Sequence, residues 1–142
     1  MEKTILENVF DKLSIAFAEY NIKPLPENIS NFVDQTNVLP CCDLDSNIRI
    51  DFIFSFSEYE MQAIKRANVV KVNEIEIKIA AFDDIIIHKL FANRPRDIED
   101  LRVLLKIKKN EFDKEYILKW LKTFLEIPGK EDILKSFSNI LN

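Results

Sequence analysis

Glycine is almost missing from this chain: Gly129 is the single one in 142 residues. That excludes the glycine-rich phosphate loops, because the P-loop and the dinucleotide fingerprint both need several glycines at fixed spacing. A phosphate would have to be held by side chains and helix ends instead. Histidine is equally scarce, with His88 alone, and the two cysteines are neighbours, Cys41 and Cys42. Adjacent strand residues point to opposite faces, so these two neither bridge each other nor share a metal. Nothing else supplies zinc-type ligand spacing. No apolar run approaches the length of a membrane span, and Met1 is followed by acids and lysine rather than by a signal peptide. A reduced, cytoplasmic setting without a membrane partner is the expectation. The net charge of −4 speaks against a broad basic surface for nucleic acid, though not against a small basic pocket.

What the chain does have is apolar residues, 47% of the total, with eleven phenylalanines. That composition predicts a single globular domain over 1–142, with a helix and β-hairpins over 1–80 and a helical part over 81–142. Leu6, Phe10, Leu13, Phe17 and Tyr20 recur at three- and four-residue steps, predicting a helix over 4–20. Pro24 and Pro26 read as a connector into a short helix over 27–36. Strands are predicted over 37–42 and 48–55 around the polar turn 43–47. In the second of these, Ile48, Ile50, Phe52 and Phe54 share one face and Arg49, Asp51, Ile53 and Ser55 the other. A helix over 57–66 leads to a second pair, 69–72 and 75–79, around Asn73-Glu74. Helices follow after Phe82, after Pro95, over 112–126 and over 131–141. The order predicts an α+β fold with a helical C-terminal half.

Residues 81–105, AFDDIIIHKLFANRPRDIEDLRVLL, hold the densest set of candidate groups. Lys89, Asn93, Arg96 and Asp100 are spaced by four, three and four, and would form one stripe if the helix ran on. Such a stripe suits a triphosphate site and equally suits a solvated, ion-paired face. Asp51 is an acid inside an apolar strand, which calls for a cation or a base; Arg49, two residues away on the same face, is the base at hand. Asp43 and Asp45 form an Asp-x-Asp, the spacing that can hold Mg²⁺, but they sit in a turn where Asp is commonplace. His88 stands among Ile85, Ile86, Ile87 and Leu90 and reads as a partly buried helix histidine rather than a base.

Taken together, the strand IRIDFIFS, a helix, a β-pair and then FDDIIIHKLFANRPRDIEDL resemble the later part of the minimal nucleotidyltransferase-like proteins of the polymerase-beta superfamily. The likeness is to the branch that includes the AbiEii-type toxins of bacterial toxin–antitoxin systems, and it covers about residues 25–125. It implies a truncated nucleotidyltransferase-like mixed sheet. It implies transfer of a nucleoside monophosphate from an NTP with Mg²⁺, to protein, RNA or a small molecule. Asp51 would be the third carboxylate, a metal ligand that helps activate the acceptor. Lys89, with Arg94 or Arg96, would touch phosphates, and Asp97 and Asp100 would orient those bases. The implied partners are a nucleotide, a further copy of the chain or a cognate antitoxin-like protein, with nucleic acid only as an acceptor. The departure lies at the start. The family's Gly-Ser and its Asp-x-Asp strand have no counterpart here, because no glycine precedes Gly129 and Asp43-Leu44-Asp45 lies in a turn. The expectation is therefore a nucleotidyltransferase-like protein that is incomplete or inactive as this chain alone; the alternative is a non-catalytic partner-binding module or homodimer on a degenerate form of that fold.

Overall fold

Short amphipathic helices and two β-hairpins build two compact units, residues 1–57 and 58–142. The computed structural model describes residues 12–108 and 111–141. The class is α+β with a helical C-terminal half, as the order of elements predicts.

In the first unit the predicted opening helix covers residues 12–19 (α1); its part over 4–11 lies outside the described residues. Then come β1 (Ile22–Pro24), α2 (Ile29–Thr36), β2 (Val38–Asp43) and β3 (Ile48–Ile53). The strands form an antiparallel sheet in the order β1-β2-β3. Strand β1 was not foreseen: a proline ends it, which only an edge strand tolerates. Helix α2 starts two residues later than expected, because Asn28 caps it by accepting from the backbone N–H of Asn31 at 3.0 Å. The register puts Leu39, Cys41, Ile50 and Phe52 on one face, against Phe17 of α1 and Val33 of α2.

The second unit holds α3 (Glu58–Lys65), β4 (Asn68–Val72), β5 (Ile75–Ile79), α4 (Phe82–Ala92), α5 (Pro95–Ile107), α6 (Lys114–Thr123), a 3₁₀ turn (Phe124–Glu126) and α7 (Ile133–Leu141). Its core joins Tyr59, Ile86, Ile87, Leu90, Leu101, Leu105, Ile117, Trp120, Leu121 and Phe137. Strands β4 and β5 pair antiparallel in a two-stranded sheet of their own. Where the family resemblance implies a mixed sheet, the described strands form two small sheets with antiparallel pairing throughout. Among the described residues no helix is long and apolar enough to cross a membrane.

Asparagine does most of the work of reversing the chain. Asn21, Asn37, Asn47, Asn73 and Asn93 adopt left-handed backbone, with φ between 46° and 57°. This is the residue other than glycine that enters that region at least cost.

Candidate functional site

The α4–α5 corner starts from Asn93. Its φ of 51° ends α4, and its N–H returns to the carbonyl of Lys89 at 2.9 Å. Pro95 then opens α5, where its missing N–H is harmless. The helix does not run on, so the predicted stripe of Lys89, Asn93, Arg96 and Asp100 does not exist as such. Folding back brings a different set together. Lys89 Nζ lies 2.6 Å from Asp100 Oδ2 and 3.5 Å from Asp97 Oδ1. Arg94 donates through Nε to Asp97 Oδ2 at 2.6 Å and through its terminal nitrogen to Oδ1 at 3.3 Å. Asp97 is buried beneath Arg94, whose side chain is 75% exposed. Its hydrogen bond from Arg94, reinforced by the charges of Arg94 and Lys89, holds the Asp97 carboxyl below the usual carboxylate range. Lys89 is pushed up, chiefly by its hydrogen bond to Asp100. Two bases and two acids close on one another, leaving this group with no net charge. Arg96 is exposed and forms no ion pair among the described residues.

Asp51 lies in the first unit, on the face of β3 that carries Arg49, as predicted. Arg49 Nε meets Asp51 Oδ1 at 2.9 Å. The turn acids are likewise engaged: Asp43 accepts from the Asp45 N–H at 3.0 Å and from the Ser46 hydroxyl at 2.5 Å, and Asp45 accepts from Asn21 Nδ2 at 2.7 Å. Ser46 is the main cause of a lowered Asp43 carboxyl. His88 is exposed, its ring 5.2 Å from that of Tyr59.

A second polar cluster escaped the sequence reading. Asp84 is fully buried in the first turn of α4, and its Oδ1 accepts from the Tyr116 hydroxyl at 2.8 Å. Arg66 reaches Asp84 Oδ2 at 3.3 Å and Asp83 Oδ2 at 2.7 Å, and its guanidinium lies 3.8 Å from the centre of the Tyr116 ring. Tyr59 donates to the Asp84 carbonyl at 3.3 Å, and Asp83 Oδ1 accepts from the Asp113 N–H at 3.0 Å. Burial, then the hydrogen bond to Asp84, pushes the Tyr116 phenol up to about 12. The cluster pins the segment after α3, the start of α4 and the start of α6 to one another. The signal available in sequence was Asp84 falling on the stripe of Ile87 and Leu90, an acid where the period demands an apolar residue.

An open cleft of about 520 Å³ in the first unit, floored by Leu25, Phe32 and Pro40 and rimmed by Asn28, Asn31 and Gln35, includes none of the predicted site residues.

No protein-family model matches this chain, and neither a curated protein nor a solved structure is significantly similar to it. The geometry also bears on the implied Mg²⁺. The carboxylates of Asp51, Asp97 and Asp100 are each engaged by a base. No group of three or more metal-ligating side chains stands together among the described residues. Within the second unit Asp97 and Asp100 are two carboxylates with Lys89 between them, fewer than the several that a two-metal centre gathers.

Proposed function

We propose that this chain is a non-catalytic, partner-binding module of nucleotidyltransferase-like sequence, working in the cytoplasm. One observation carries the reading: Asp51, the acid that the family resemblance would assign to a metal, is closed on Arg49. A carboxylate holding a base at 2.9 Å, as Asp51 does, has given an acceptor position to that base. Support for a partner comes from the β4–β5 ribbon, whose apolar face is uncovered: Val72, Ile75, Ile77 and Ile79 are 41–66% exposed. A two-stranded ribbon is marginal in water, and exposed apolar faces of this kind mark protein contacts. A cognate antitoxin-like protein or a second copy of the chain would cover it.

The second reading is nucleotidyl transfer from an NTP with Mg²⁺. The exposed guanidinium groups of Arg94 and Arg96 at the start of α5 favour it, being placed to meet phosphate in solvent. In that reading Lys89 leaves its carboxylates for a phosphate and Asp51 leaves Arg49 for a metal, the remaining ligands coming from elsewhere.

Calorimetric titration with ATP, GTP, CTP and UTP, each with Mg²⁺, separates the two readings when run beside a transfer assay with labelled NTP. The module reading expects no label transfer and binding weaker than about 1 mM. Saturable binding of one nucleotide, together with transfer that is lost in Asp51→Ala and Lys89→Ala, would replace it with the enzymatic reading.

A further inference from the structure

Strand β5 reads Ile75-Glu76-Ile77-Lys78-Ile79. About Ile77 it is symmetric in its apolar residues and opposite in its charges. The turn before it decides which backbone groups of the strand are free. Asn73 and Glu74 both have positive φ, 46° and 69°, as a two-residue hairpin turn with the twist of the strands requires. The pair closing such a turn, Val72 and Ile75, exchanges both backbone hydrogen bonds, and along an antiparallel ladder this alternates. Ile75, Ile77 and Ile79 therefore turn their N–H and C=O groups toward β4. Glu76 and Lys78 turn theirs to the outer edge, which pairs with no strand among the described residues.

An antiparallel copy of β5 can meet this edge only where outward residues oppose outward residues. Three close registers qualify. Glu76 opposite Glu76 and Lys78 opposite Lys78 both set like charges across the ladder, which destabilises it. Glu76 opposite Lys78 gives two opposite-charge pairs, places Ile77 against itself on the two-fold axis, and sets Ile75 against Ile79 twice. We infer that the chain forms a two-fold homodimer through antiparallel pairing of β5 with β5 about Ile77, making a four-stranded sheet β4-β5-β5-β4. Such an interface is closed and self-complementary, and it removes a free strand edge.

Strand β3 carries a similar device, Arg49 and Asp51 about Ile50, at the edge of the other sheet. There the two charges already bond each other at 2.9 Å along the strand, and Ile50 and Phe52 pack into a core. In β5 the isoleucines stand exposed, so pairing removes apolar flank from water as well as satisfying backbone groups. An antiparallel β3–β5 pairing centred on Ile50 and Ile77 would set Arg49 against Lys78 and Asp51 against Glu76, so copies are steered to like strands.

This inference deepens the partner-binding reading by naming the partner. Sedimentation of the full chain from about 5 to about 500 µM tests it, the range suited to a contact this small. The wild type is expected to pass from monomer to dimer. Glu76→Lys and Lys78→Glu should each weaken association about tenfold or more, and the double reversal should bring it back to within about threefold. Ile77→Cys should give a disulfide-linked dimer on mild oxidation, since opposed residues of this type lie about 4.5 Å apart at Cα. Val69→Cys and the wild type, with Cys41 and Cys42, should not. Circular dichroism checks that each variant is folded, and the cross-link reads the interface even where a charge variant is not. A monomer throughout the range overturns the inference. So does a dimer indifferent to Glu76 and Lys78, lost instead in Asp51→Lys, or not restored by the double reversal. Any of these leaves the partner-binding reading in place, whereas nucleotide transfer by the wild type would remove that reading and leave the dimer standing.

Discussion

Hairpin β2–β3 lays Leu39, Cys41, Ile50 and Phe52 against Phe17 and Val33, and Leu39 and Cys41 lose all contact with water. Hairpin β4–β5 has the same alternation, with Val70, Val72, Ile75, Ile77 and Ile79 on one face, yet Ile75 remains 66% exposed. The pattern of apolar residues is equally clean in both, so alternation settles which face is apolar and not what will cover it. Cover comes from neighbouring helices with apolar surface to spare. Helix α2 enters β2 through one residue, Asn37, and gives Val33 to the sheet. Helices α3 and α4, which flank the ribbon in sequence, give Tyr59, Ile86, Ile87 and Leu90 to the helical core instead.

Truncation on the two hairpins should break this comparison most visibly. Leu39→Ala is expected to destabilise the fold by about 2–5 kcal/mol in urea unfolding, as a fully buried leucine does. Ile77→Ala, measured at a concentration where the chain is monomeric, should cost less than about 1 kcal/mol, because its side chain already meets water. Equal costs would mean the ribbon is covered after all.

Next in size is the carboxylate that binds the helical unit together. Tyr116→Phe removes a donor from the buried Asp84 and should cost about 1.5–3 kcal/mol. The sign of its pH dependence follows from the raised phenol. In the unfolded chain a tyrosine titrates near 10, in the folded chain at about 12. The contribution is therefore complete below about pH 10 and drains away as pH climbs toward 12. In Tyr116→Phe the alkaline loss of stability should shrink, and an unchanged alkaline limb would detach Tyr116 from this role.

Asp97 behaves the opposite way. Its folded carboxyl is held low, so what it contributes is present above about pH 4, the unfolded value, and is lost as pH falls below that. Asp97→Asn should flatten the acid limb of a stability curve, and because Asp97 also helps to hold the Lys89 ammonium up, it should weaken the alkaline limb to a smaller extent. The smallest effect belongs to the ribbon turn. Glu74 sits at φ 69°, where a side chain is strained, and its pair with Lys71 is exposed on both sides. Glu74→Gly should raise stability by no more than about 1 kcal/mol, visible as a small rise in melting temperature. A fall would show that the exposed pair matters more than the backbone.

Much of the architecture was legible in the chain. Both main hairpins, the break at Pro95 and the helical second half follow from alternation, helical period and Pro placement. The α4–α5 corner was legible in its membership and not in its shape. Lys89 and Asp100 were rightly grouped, but the left-handed Asn93 replaces a continuous stripe with a folded corner in which Asp97 and Arg94 take part and Arg96 does not. A backbone reversal at an asparagine leaves no periodic trace, only a residue type that permits it. The Asp84 cluster lay beyond reading because its partners are 18 and 32 residues away. Spacing rules on one helix cannot report contacts made by tertiary packing.

The asparagines at the reversals carry a last consequence, and it concerns the chain before it folds. A glycine at each of these left-handed positions would be content in the native structure, yet it would also roam a far larger conformational space when unfolded. Asparagine accepts the same turn from a narrower starting ensemble. The shortage of glycine that closes this chain to phosphate loops therefore also trims the entropy it surrenders on folding, at Asn21, Asn37, Asn47, Asn73 and Asn93 alike.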